Sequence, residues 1–157
     1  MKIAVVSDTH GDISFFLEAM KNIKGVEKIL HLGDYDIDGY NIEKKTGIIT
    51  YIVAGNNDIG SREVQDKVLN IEGHKILMTH GHKYNVYFGI DRLVYRAEEI
   101  GADLVLYGHT HYFMDEHVGP IRVINPGSAS LPRGNDQASF VILEITQADI
   151  IVNRIIK

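Results

Sequence analysis

There is no cysteine in this 157-residue sequence. That absence excludes a disulfide scaffold, a thiolate zinc site and a cysteine nucleophile together. Proline is scarce, at 3 residues. No low-complexity stretch, linker or internal repeat breaks the chain, so residues 1–157 read as a single domain. No apolar run approaches the ~20 residues of a membrane span. Met1-Lys2 leads into a strand-like run rather than a basic region followed by an apolar one. An excess of positive charge is missing too. With 16 Lys+Arg against 21 Asp+Glu the formal net charge is −5, which is the wrong sign for a general nucleic-acid binder that must displace phosphate counterions. These absences lead us to expect a soluble cytoplasmic protein with neither a membrane nor general nucleic acid as partner.

What the sequence does have is short Ile-, Val- and Leu-rich runs bounded by Gly, Asn and Asp. Lys2 to Val6, Lys28 to Leu32, Ile48 to Ala54, Lys75 to Thr79 and Asp103 to Tyr107 read as buried strands. Ser14 to Lys24 and Ile90 to Ile100 carry apolar residues at helical spacing, and Gly101 is placed to cap the second. This strand–helix–strand order predicts partly parallel pairing. The last third differs. Tyr112 to Val118 with Ile121 to Asn125, and Ala138 to Thr146 with Asp149 to Ile156, have the spacing of antiparallel hairpins. The expected class is an α/β sandwich of two mixed β-sheets with helices outside.

Chemistry is concentrated where the strands end. Asp8-Thr9-His10-Gly11 follows the first, Gly33-Asp34 the second and Gly55-Asn56-Asn57-Asp58 the third. His80-Gly81-His82 follows the fourth and Gly108-His109-Thr110-His111 the fifth. Loops at the carboxyl ends of strands line the ligand crevice of open α/β sheets, so these side chains should converge. Singly, each pair reads as a turn or a cap. Together they form a ligand set of carboxylate, amide and imidazole without thiolate, which suits Mn, Fe, Ni or Zn better than Ca or Mg. The set exceeds one tetrahedral site and fills two sites with a shared carboxylate.

In this order, Asp-x-His, Gly-Asp, Gly-Asn-x-Asp, His-Gly-His and Gly-His-x-His resemble the calcineurin-like metallophosphoesterase superfamily. The short length, the Gly-Asn-x-Asp form and Asn125-Pro126-Gly127-Ser128 followed by Pro132-Arg133 are similar to its small prokaryotic YfcE-type branch. The resemblance implies a four-layer α/β/β/α sandwich. It also implies that Asp8, His10 and His111 hold one divalent metal ion, that Asp34 bridges to a second, and that Asn56, His80 and His109 complete that second site. The implied activity is hydrolysis of a small phosphodiester by hydroxide bridging the two ions. Many superfamily members place a proton-donating His after Gly-Asn; here Asn57 stands there, and an amide supplies no proton near neutral pH. His82 is left as a candidate general acid or phosphate contact, and Asp58 as a group that orients Asn57 or another side chain near the metals. Two alternatives stay open: a non-catalytic protein-binding scaffold of the same fold, as in the retromer complex, and a phosphomonoesterase or nucleotide pyrophosphohydrolase.

The remaining candidates have plainer readings. His31 is expected in the core or supporting a ligand, and His74 and His117 in solvent. Tyr84, Tyr87, Phe88 and Tyr95 are expected mainly in the core, with a cleft wall or a homo-oligomer contact as the other uses. Ser128 lacks a Gly-x-Ser-x-Gly elbow and is expected to shape backbone near the site. Arg133 is either a phosphate contact or a solvated loop charge.

Overall fold

The computed structural model describes residues 1–157. Its elements run β1 (Lys2–Val6), α1 (Ser14–Met20), β2 (Lys28–His31), α2 (Asp36–Thr46), β3 (Thr50–Ile52), β4 (Asp66–Ile71), β5 (His74–Thr79), α3 (Asp91–Ile100), β6 (Leu104–Leu106), β7 (Phe113–Val118), β8 (Ile121–Pro126), β9 (Ser139–Ile145) and β10 (Ile150–Ile156). Short 3-10 turns at His82–Tyr84 and Val86–Phe88 join β5 to α3. One sheet has the order β10-β9-β1-β2-β3 and the other β4-β5-β6-β8-β7. Both are mixed: β1, β2 and β3 run parallel, as do β5, β6 and β8, and antiparallel strands complete each sheet.

Alternation along the strands builds the layers, because successive side chains point to opposite faces. Ile3 and Val5 of β1 face inward with Leu30, and they meet Ile76, Met78, Leu104 and Leu106 of the second sheet. The intervening Ala4 and Val6 face outward, where Phe16 and Met20 of α1 and Ile42 of α2 cover them. On the far side, Leu77, Val105 and Val123 pack beneath Leu93, Val94 and Ala97 of α3. Helix, sheet, sheet and helix are therefore stacked, as the sequence led us to expect. No helix is long and apolar enough to cross a membrane.

Two elements escape the sequence reading. Helix α2 buries Asp38, Gly39 and Ile42, so it presents no apolar stripe, and β4 lies at a sheet edge with Val68 exposed. The expected helix Ser14 to Lys24 ends at Met20, and the strand expected over Ile48 to Ala54 covers only Thr50–Ile52. Two expectations are corrected. His74 is not in solvent: its Nδ1 lies 2.6 Å from Asp103 Oδ2 and its Nε2 3.0 Å from the Thr146 carbonyl, tying the start of β5 to the β9–β10 turn. Of the aromatic segment only half-buried Tyr84 packs against the core. Tyr87, Phe88 and Tyr95 are 48%, 93% and 70% exposed, and Val86 alone of residues 86–88 is buried.

Candidate metal centre

Parallel register brings the strand ends level, with Val6 beside His31 and His31 beside Ile52. Beyond the strands, hydrogen bonds continue the alignment: Asp8 N–H donates to the Gly33 carbonyl at 3.1 Å and Gly108 N–H to the His80 carbonyl at 3.0 Å. Two contacts then join the sheets. His80 Nδ1 meets the Leu32 carbonyl at 2.8 Å, and His109 N–H donates to Asp8 Oδ2 at 3.0 Å. To aim the side chains inward the backbone adopts positive φ at Asp8, His10, Asp34, His109 and His111. Such conformations cost about 1–2 kcal/mol per residue, and their concentration on the expected ligands marks a site for which the fold accepts strain.

Asp8, His10, Asp34 and His111 converge, each offering a ligand atom within 4.8 Å of the others. His80 and His109 stand beside them. His80 Nε2 lies 3.3 Å from Asp34 Oδ1 and 3.1 Å from His109 Nδ1. Asp34 thus faces two groups, with Oδ1 toward His80 and Oδ2 3.7 Å from His10 Nε2. His10 and His111 approach each other through Nε2 atoms at 3.3 Å.

The protonation pattern tests whether these residues suit a metal. A carbonyl only accepts, so His80 Nδ1 carries the proton it gives to Leu32, and His111 Nδ1 the one it gives to Leu131 at 2.6 Å. With Nδ1 so engaged, it is the Nε2 atoms that face carboxylate oxygens: Asp34 Oδ1 for His80, and Asp8 Oδ1 at 3.2 Å for His111. A ring nitrogen and a carboxylate oxygen aimed at each other call for positive charge between them, as a proton or a metal ion. Asp8 Oδ1 is buried without a hydrogen-bond partner, whereas its Oδ2 accepts from Ser7 at 2.6 Å and from His109 N–H. The donor set fits a cation, with carbonyl partners fixing each ligating ring.

The electrostatics agree. Burial works against ionisation of Asp8, but His111 beside its Oδ1 and the nearby His80 outweigh it and hold the carboxyl below its ordinary value. Burial likewise depresses His111, and the Asp8 carboxylate overcomes it to leave that ring above its usual pKa. His109 is pushed down to about 4, first by burial and then by the charge of His80, so it is a neutral donor at pH 7.

A second ring of residues supports this group. Thr9 Oγ1 donates to Asp38 Oδ2 at 2.7 Å, and the same oxygen accepts the Gly11 N–H at 2.8 Å. His31 is fully buried, with Nε2 3.0 Å from Thr9 Oγ1; desolvation drives its pKa down to about 4. Ser128 Oγ donates to the Asp8 carbonyl at 2.7 Å and accepts the Leu131 N–H at 2.8 Å, so it does shape backbone at the site. His117 is exposed. Asp38 lies on the helix that the sequence concealed, and no spacing rule pointed to it.

The third loop departs from expectation. Asn56 and Asn57 are both exposed, but it is Asn57 whose Nδ2 donates to Asp34 Oδ2 at 2.6 Å and whose N–H donates to Oδ1 at 3.1 Å. Asp58 does not touch Asn57: Oδ1 accepts the N–H groups of Tyr35 and Asp36 at 2.7 and 2.8 Å, and Oδ2 that of Gly55 at 2.7 Å. With both oxygens committed to backbone, Asp58 locks the Asp34 loop to its own. His82 packs against His80 with ring centroids 5.5 Å apart, and its Nδ1 is buried without a partner. Burial, then the charge of His80, lowers its pKa. Two half-exposed tyrosines flank the site: Tyr87, for which the sequence left a cleft wall open, and Tyr35, which it did not single out. Tyr35 stands edge-on to His10 at 5.4 Å, and Tyr87 edge-on to His109 at 4.7 Å.

Gly55 allows the close approach of these loops. A Cβ there would lie 2.5 Å from Asp34 N and would strike the Asp34 carboxylate. Gly55→Ala is expected to keep the fold but to lower both metal content and turnover, by about 10–100-fold as for other groups that orient ligands. Metal analysis and kinetics on the folded variant check this, and unchanged values would refute it.

Comparison with known proteins agrees with this geometry. The family described as the calcineurin-like phosphoesterase superfamily domain matches residues 1–148. The probable metallophosphoesterase YsnB of Bacillus subtilis is 31% identical over 147 residues, covering 92% of this chain and 85% of the relative. Phosphodiesterase MJ0936 of Methanocaldococcus jannaschii is 32% identical over 146 residues, covering 81% of this chain and 83% of the relative. A crystal structure of a predicted phosphoesterase from Streptococcus pneumoniae superposes with a TM-score of 0.85 at 31% identity, covering 99% of this chain and 88% of that one.

Proposed function

The chain belongs to the calcineurin-like phosphoesterase superfamily, and from the premise that it is a metal-dependent phosphoesterase we propose that it hydrolyses a small phosphodiester with two divalent transition-metal ions bound. Mn, Ni, Fe and Zn all suit the donors. Membership of the YfcE-type branch is part of this reading, supported by the short chain and by Asn57 in the place of His. The observation that carries the proposal is Asp34, whose two oxygens face His80 on one side and His10 on the other. In this assignment Asp8, His10 and His111 hold one ion and Asp34 is shared. His80 and His109 hold the second, with Asn56 completing it by the superfamily's Gly-Asn pattern. Ions held there supply Lewis acidity toward phosphoryl oxygens and acidify water, the two needs of phosphoester hydrolysis.

The chain's own groups do the rest. His80 and His111 are fixed as Nδ1–H tautomers by the Leu32 and Leu131 carbonyls, so their Nε2 lone pairs stay aimed inward through a turnover. Asn57 steadies the shared carboxylate through N–H and side-chain amide. A lowered pKa leaves His82 neutral at pH 7, a state that suits a hydrogen-bond donor to phosphate better than a general acid. Asp58 acts on backbone. A scaffold freed from catalysis would have no use for these strained, converging ligands. The net charge of −5 favours a small substrate over nucleic acid at large.

Reconstitution tests the proposal. Metal-stripped protein reloaded with Mn or Ni is expected to bind two ions per chain and to hydrolyse bis(p-nitrophenyl) phosphate. One ion at saturation would overturn the two-ion assignment, and the absence of turnover with every metal of the set would overturn the activity.

A further inference from the structure

Arg133 lies in the loop after β8, two residues beyond Leu131, whose carbonyl fixes the His111 ring. Arg96, Arg122 and Arg154 are paired with Glu99, Asp115 and Asp136. Arg133 instead has its guanidinium over the Tyr87 ring, 5.6 Å from the centroid. Tyr87 is itself fixed at both ends of its exposed side chain: its ring packs on His109 and its hydroxyl donates to the His109 carbonyl at 2.9 Å. The result is a chain of contacts, guanidinium over phenol and phenol edge-on to imidazole, that starts at a candidate metal ligand and ends at an unpaired cation.

A guanidinium held over an aromatic face without a carboxylate partner keeps N–H groups free, and their planar fork matches two oxygens of a phosphate. No carboxylate competes for it, and the ring beneath limits the conformations it must lose on binding. The geometry points to Arg133 as the residue that binds the non-bridging oxygens of the substrate phosphate at the mouth of the metal centre, with Tyr87 as its positioning residue. This rests on the phosphoesterase reading and adds to it how the anion is recognised.

The test uses Mn-loaded protein and two probes, inorganic phosphate binding by calorimetry and steady-state kinetics on bis(p-nitrophenyl) phosphate. Arg133→Gln is expected to weaken phosphate binding and raise KM by about 10-fold while kcat changes far less, because a charge-assisted contact is lost from ground and transition state alike. Arg133→Lys should recover part of the loss, since it keeps the charge and not the fork. Tyr87→Ala should reproduce the rise in KM with Arg133 present but untethered. Metal stoichiometry separates the two claims: loss of metal or turnover in the unaltered protein counts against the phosphoesterase reading. Phosphate affinity that is the same in Arg133→Gln as in the unaltered protein overturns the role of Arg133, whether or not the diester is turned over.

Discussion

Replacing Asp34 by Asn is expected to lower diester turnover by about 1,000-fold or more, the loss of several kcal/mol of charge stabilisation, and to reduce bound metal. Asp34 alone presents one oxygen to each of the two groups, toward His80 and toward His10. The amide is nearly isosteric, so packing in this buried position survives, but the negative charge that offsets cations is gone. His80→Ala is the companion variant and should cost the second ion while sparing the first, because His80 approaches Asp34 Oδ1 and His109, whereas His10 and His111 approach each other. Metal analysis read beside thermal unfolding decides the matter. Unchanged stoichiometry in both variants would mean that the ligands are wrongly assigned.

The second large effect concerns the leaving group. An alkoxide departs poorly unless it is protonated, and a positioned general acid contributes about 10²–10⁴-fold to such a step. Asn57 has no proton to give near neutral pH, and its amide is already committed to Asp34. His82, the other candidate, is held neutral by burial and by the charge of His80. Nitrophenyl esters, whose anions leave unaided, should therefore be hydrolysed faster than matched alkyl esters by a factor of about 10²–10⁴. Asn57→His should narrow that gap by restoring a protonatable group beside the leaving oxygen, at some cost in metal affinity because Asp34 loses its amide contact. Matched aryl and alkyl diesters under Mn or Ni provide the measurement. Equal rates on the two would show that some other group supplies the proton.

Much of this centre was legible before any coordinates. Asp8, His10, Asp34, His80, His109 and His111 each follow a short apolar run, and the structure brings all of them to one end of the paired sheets. That inference succeeds because a buried strand announces itself locally and because ligands follow strand ends in this topology. It fails where burial is polar. Helix α2 turns Asp38 and Gly39 inward, so its pattern looks like a loop, and with it the Thr9–Asp38–Gly11 support went unseen. The aromatic segment misleads for the converse reason: Tyr87 and Phe88 are apolar enough for a core but are held outside it by consecutive 3-10 turns.

The sequence by itself determined the ligand chemistry, carboxylate and imidazole without thiolate, and the strand ends that carry it. Side-chain type and short-range alternation are properties of the chain alone. Only the tertiary structure decided which oxygen of Asp34 faces which histidine, that Asn57 and not Asn56 reaches that carboxylate, and that Asp58 serves the backbone. Those choices are made across long separations, as between His10 and His111 at 101 residues. They depend on how loops from two sheets fit at distances of about 3 Å, where a single Cβ, as at Gly55, changes the answer.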